Sequence, residues 1–152
     1  MKLLLLAVPF FVLAVALPAP AAEPLPCRSA VSHGVLPVWA RTGFSDPKPR
    51  IAHVLGRRRE IVAILFAQPL RSPPLRDRNN KILWVARRPF PLDANLRISA
   101  QRMLGTLPTG APVSRTVPGG PGPSIVDMPR PGCWRFALRW GKRSDSLDLV
   151  YR

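Results

Sequence analysis

The chain has 152 residues, enough for one domain with a sizeable core and too few for two in comfort. Its 23 Lys and Arg against 8 Asp and Glu give a formal net charge of +15, a field that draws polyanions. A metal held by the two cysteines would need further ligands, and His33 and His53 are the only histidines.

The chain opens with Lys2, an unbroken apolar run over residues 3–17, and then Pro18, Ala19, Pro20, Ala21 and Ala22. A positive start, a short apolar stretch and an Ala-x-Ala tail form the pattern of a secretory signal peptide, with cleavage expected after Ala21 or Ala22. A membrane-spanning helix needs about 20 apolar residues, and this run is shorter. Lipidation at Cys27 is disfavoured because Pro24, Leu25 and Pro26 replace the small side chains that precede a lipidated cysteine. The expected division is a cleaved leader at 1–21, an extended N-terminal segment at 22–33, and a folded domain at 34–152. No transmembrane segment is expected after cleavage. Export makes DNA an unsuitable partner and leaves an anionic envelope polymer or lipid surface as the class that fits the charge. The preference for Arg over Lys matches a G+C-rich coding bias, whereas the shortage of acids does not.

Twenty prolines and ten glycines leave little room for long helices. Residues 34–40 read as an edge or irregular strand interrupted by Pro37. Residues 51–55 form a short strand and 56–60 a charged turn. Residues 61–67 are continuously apolar, as in a strand buried on both faces, and Pro69 rules out a long helix there. Turn chemistry at 77–80 precedes a strand over 81–87. Leu96, Ile98 and Ala100 alternate with Arg97, Ser99 and Gln101, and residues 113–117 make another short strand. Trp134, Phe136, Leu138 and Trp140 then share one face of a strand. A turn follows, with Leu147, Leu149 and Tyr151 on one face beyond it: a β-hairpin. Asp145 and Asp148 are expected on its outer face beside Arg135 and Arg139. About seven short strands between turns predict an all-β, single antiparallel β-sandwich of Ig-like architecture, without internal repeats. Cys27 and Cys133 are an even pair in an oxidising compartment, and a disulfide is expected between them.

The segments at 34–47, 63–70, 79–87, 119–129 and 132–140 resemble those of a family of small secreted bacterial proteins of uncharacterised function. The resemblance implies export and carries no activity or binding residue.

The sequence carries no complete catalytic constellation. His33 and His53 are the only imidazoles, and no Gly-x-Ser-x-Gly elbow accompanies them. The loop at 119–124 lacks the consecutive N–H groups and the lysine of a phosphate cradle, since Pro121 and Pro123 interrupt it. Glu60 reads as the counter-charge of Arg57, Arg58 and Arg59, which form the densest basic run and the first candidate for polyanion contact. Trp39, Arg41 and Phe44 form an aromatic-cationic group suited to ligand or partner contact, with core packing as the plainer reading. No cofactor is implied. A non-enzymatic binding or structural module is the leading expectation, and a secreted hydrolase is the alternative.

Overall fold

The computed structural model describes Cys27 and residues 30–152. The expected leader at 1–21 lies outside the described residues, as do 22–26, 28 and 29. Eight strands follow in order: β1 His53–Leu55, β2 Ile61–Leu65, β3 Lys81–Ala86, β4 Leu96–Leu104, β5 Leu107–Val117, β6 Pro123–Ile125, β7 Gly132–Trp140 and β8 Arg143–Tyr151. They form two four-stranded sheets, ordered β1-β2-β3-β6 and β5-β4-β7-β8, antiparallel at every paired edge. The chain is an all-β sandwich.

Period-two alternation sets the packing. Trp134, Phe136, Leu138 and Trp140 of β7 and Leu147, Leu149 and Tyr151 of β8 all point inward and are buried. Val54, Ile61, Ala63, Leu65, Ile82 and Trp84 of the first sheet meet them in one core. The rings of Trp84 and Phe136 lie 6.1 Å apart across the sheets. Each large apolar side chain removed from water contributes about 1.5–3 kcal/mol, so this layer dominates stability.

β2 is buried along its whole length because the outer face of its sheet is also covered. Residues 34–50 fold over Val62 and Ile64, adding Leu36 and Ala40 to a second small core. The strand expected at 34–40 is instead a loop with a 3-10 turn at Val38–Ala40, anchored by a bridge between Val35 and Arg50. Pro37 has no N–H to extend a ladder, and the chain turns there instead.

Two other departures have similar causes. β5 begins at Leu107 rather than at 113, because Pro108, Gly110 and Pro112 hide the strand pattern; a sheet edge tolerates them. β6 arises inside the loop expected at 119–124, where Pro123 pairs with Leu83 and Ser124 with Ile82.

Cys27 and Cys133 form a disulfide with Cα atoms 5.7 Å apart. Ser32 pairs with His53 of β1 through both backbone hydrogen bonds, at 2.8 and 2.9 Å. The N-terminal segment is thus tied to both sheets. The β1–β2 turn, the β3–β4 and β5–β6 connections and the β7–β8 turn all emerge at one end of the sandwich.

Candidate functional site

That end collects cations which the sequence scatters. Arg57, Arg58 and Arg59 come from the β1–β2 turn, Arg87 and Arg88 from the β3–β4 connection, and Lys142 and Arg143 from the start of the β7–β8 hairpin. Arg97 and Arg139 sit on the nearest rungs of β4 and β7. A looser set, Arg71, Arg76, Arg78, Arg130 and Arg152, lies at the other end.

The triple-arginine turn is held from β8. Asp145 accepts hydrogen bonds from the backbone N–H of Arg58 and of Glu60, both at 2.9 Å, and from Ser146 at 2.7 Å. Arg57 N–H donates to the Ser146 carbonyl at 2.8 Å. These contacts fix Arg59 at φ +56, a left-handed conformation that costs a side-chain-bearing residue roughly 1–2 kcal/mol. Gly56 is required for a different reason: a Cβ there would run into the Asp145 carboxylate.

Asp145 therefore does not sit on the outer face with Arg139. It shares the inward parity of Leu147, Leu149 and Tyr151, and its carboxylate is spent on backbone donors. Asp148 does lie opposite Arg135, which donates from Nε at 3.0 Å and from NH2 at 3.2 Å, while Arg57 approaches at 3.3 Å. Asp148 is buried under these guanidiniums. Glu60 pairs with Arg88 at 3.6 Å and Arg143 at 3.5 Å rather than with the triple-arginine run beside it.

Five arginines at this end, Arg58, Arg59, Arg87, Arg97 and Arg139, have no acidic partner among the described residues. Arg97 and Arg139 are direct cross-strand neighbours, a placement in which like charges repel. Thr116 flanks Arg97 on β5, and Ser144 flanks Arg139 on β8. The next rung reads Ser114, Ser99, Ala137 and Ser146, a surface of small side chains and hydroxyls. Two recesses meet at Arg139. One of about 220 Å³ is lined by Arg58, Ser144 and Ser146. The other, of about 400 Å³, is lined by Asp93, Asn95, Arg97 and Trp140. Together they make a cationic groove whose guanidiniums and hydroxyls are all hydrogen-bond donors for anionic oxygens.

Of the residues singled out in the sequence, Arg58 lines this groove, Arg57 is engaged by Asp148, and Arg59 projects into solvent beside it. Trp39 and Phe44 pack on the small core over β2. Arg41 staples the same loop, donating from Nε to the Leu36 carbonyl at 2.8 Å and from NH1 to the Pro47 carbonyl at 3.3 Å. The loop at 119–124 packs under the β3–β4 connection, where Gly120 leaves room for the Phe90 ring.

His33 is exposed, and His53 is buried with Nδ1 2.8 Å from the Ile51 carbonyl, so that nitrogen carries the proton. Ser32 and His53 line a common cleft of about 320 Å³ with Arg57 and Arg59, and no carboxylate is among its lining residues. The Ser32 hydroxyl accepts the Gly34 N–H at 3.1 Å. Among the described residues no group of three or more His, Cys, Asp and Glu is placed to hold a metal ion. No helix there is long and apolar enough to cross a membrane.

Arg97 and Arg139 were visible in the sequence only as outward residues of two strands. Their juxtaposition depends on the β4–β7 register, which no local pattern reveals. The chain matches no known family model, no curated protein and no solved structure.

Proposed function

We propose that this is an exported, non-enzymatic sandwich that binds an extended polyanion of the cell envelope or its surroundings through the groove around Arg139. The observation that carries this reading is the unneutralised row of Arg58, Arg139 and Arg97 among serine and threonine hydroxyls. Two recesses sharing one arginine suit a ligand with repeated charges better than a single ion. The Ig-like label belongs to the same reading: the chain crosses between the sheets at β3–β4, β5–β6 and β6–β7, and Trp134 directly follows the cystine residue Cys133.

Sedimentation with isolated envelopes, a soluble anionic polysaccharide and anionic liposomes, across a salt series, tests the proposal. Retention should be strong at low ionic strength and fade as salt screens the groove. The Arg58→Gln, Arg97→Gln, Arg139→Gln triple variant should lose most of it. Retention unchanged in that variant overturns the groove as the contact.

One observation favours the hydrolase alternative. The backbone pairing sets Ser32 directly opposite His53, and residues so placed share a face of the sheet. Reaction of Ser32 with a fluorophosphonate, abolished by His53→Ala in a folded variant, would make that reading the better one.

A further inference from the structure

At the opposite end of the sandwich, the sheet β5-β4-β7-β8 carries an arginine on its inner face. Arg102 stands opposite Trp134 of β7, whose side chain is buried inward, and residues so paired share a face. Charged side chains usually point outward, so an inward one calls for a reason. Arg102 Nε donates to the Pro131 carbonyl at 3.0 Å. Its NH1 and NH2 have no acceptor among the described residues, and neither nitrogen is buried. The position lies five rungs along β4 from Arg97, about 17 Å away at the rise of a strand.

A recess opens in front of this guanidinium because β5 leaves its ladder there. Between the pairs Ala100–Val113 and Arg102–Thr109, the three residues 110–112 stand opposite Gln101 alone, and Gly110 adopts φ +69. The Gln101 amide holds the bend, donating to the Thr109 carbonyl at 2.9 Å and to the Gly110 carbonyl at 3.1 Å. Across the opening, Trp134 Nε1 donates to the Arg130 carbonyl at 2.9 Å and pins the stretch that leads into β7. Side chain to backbone bonds thus fix the walls. Ala111, Val113 and Pro129 line the recess with apolar surface, Trp134 closes its floor, and no carboxylate is among its lining residues. Its volume of about 440 Å³ lies within the range of small-ligand sites.

We infer that this recess takes a small carboxylic acid with an apolar body, of the kind a medium-chain fatty acid presents. The carboxylate accepts from Arg102 NH1 and NH2 together, the planar two-point geometry that guanidinium and carboxylate share. The body lies against Ala111, Val113 and Pro129. A neutral apolar molecule would leave the guanidinium unmet, and a bare anion would leave the apolar walls in water. Arg130, exposed at the rim and without an acidic partner among the described residues, adds to the field that draws the anion. The site is separate from the Arg139 groove and does not depend on the polyanion reading.

The test titrates the purified protein with octanoate and follows the backbone amide resonances of Thr109, Ala111 and Val113 by two-dimensional NMR. These should shift saturably. Acetate, which lacks the body, and octanol, which lacks the charge, should each bind at least about tenfold more weakly. Arg102→Gln should weaken octanoate by about tenfold. The Arg58→Gln, Arg97→Gln, Arg139→Gln triple variant should bind octanoate as the parent does, which places the acid away from the polyanion groove. If Arg102→Gln does not fold, the preference of the parent protein for octanoate over octanol and acetate decides alone. Amides unmoved by octanoate overturn the inference, as does either control binding as tightly. Binding unchanged in a folded Arg102→Gln variant, or lost in the triple variant, overturns it as well.

Discussion

Replacing Asp145 tests how the cationic turn is held. Its carboxylate is 6% exposed and accepts three backbone N–H groups at 2.7–2.9 Å. A hydrogen bond to a charged acceptor is worth about 1.5–3 kcal/mol. The three share one side chain and are not additive. Asp145→Ala should therefore cost about 3–5 kcal/mol, the usual loss when one partner of a buried charged network is removed. Asp145→Asn keeps one acceptor oxygen, and should lose about half as much. For a domain of this size each kcal/mol lowers Tm by roughly 3–6 °C, so the Ala variant should melt about 9 °C early or more. Urea unfolding followed by tryptophan fluorescence gives the free energy directly, with the midpoint moving and the slope unchanged. Gly56→Ala, which drives a methyl into the same carboxylate, should cost about 1–3 kcal/mol. An Asp145→Ala protein within 1 kcal/mol of the parent would refute the argument that these bonds hold the turn.

Other outcomes follow from single contacts. Tyr151, the only tyrosine, is held protonated well above its ordinary range, by burial first and then by the charge of Asp127, with Arg115 opposing. Its contribution is fully present below about pH 10 and is lost as pH rises further, by up to about 1.4 kcal/mol per unit. Tyrosinate absorbance at high pH should thus appear together with unfolding, and earlier ionisation would contradict this burial. Non-reduced mass should fall about 2 Da below the reduced mass, and Cys27→Ser should destabilise by up to about 4.7 kcal/mol in the chain-entropy model; equal masses would remove the cross-link. Trp134→Ala should cost about 3–5 kcal/mol as a core aromatic, and an unchanged melting curve would contradict its inward face. Exported material should begin at Ala22 or Glu23, as N-terminal sequencing would show; Met1 at the start would refute export.

The parts of the fold legible in the sequence are those where one physical requirement acts alone. The inward row from Trp134 to Trp140 and the alternation at Leu96, Ile98 and Ala100 needed only the two-residue period of a strand. The run at Ile61–Leu65 needed only burial on both faces. Where two requirements compete, the pattern fails. Pro108 and Pro112 obscure β5, although a sheet edge accepts them. Pro37 turns an apolar segment into a covering loop. Asp145 looks like a surface charge until the turn from β1 is brought against it. Of the candidate groove, only Arg58 was legible as a site residue. Arg97 and Arg139 are 42 positions apart in sequence and adjacent only in register.

The tie between Cys27 and Cys133 and the position of β8 leave the sandwich incomplete until its last strand is in place. The two cysteines are 106 residues apart, and the core in which Trp84 meets Phe136 is closed by Leu147, Leu149 and Tyr151. The turn carrying Arg57 to Arg59 waits as well, because its anchors Asp145 and Asp148 are on that last strand. β1–β2, β4–β5 and β7–β8 are local hairpins, whereas the β4–β7 pairing and the packing of one sheet on the other join residues remote in sequence, which slows folding relative to local collapse.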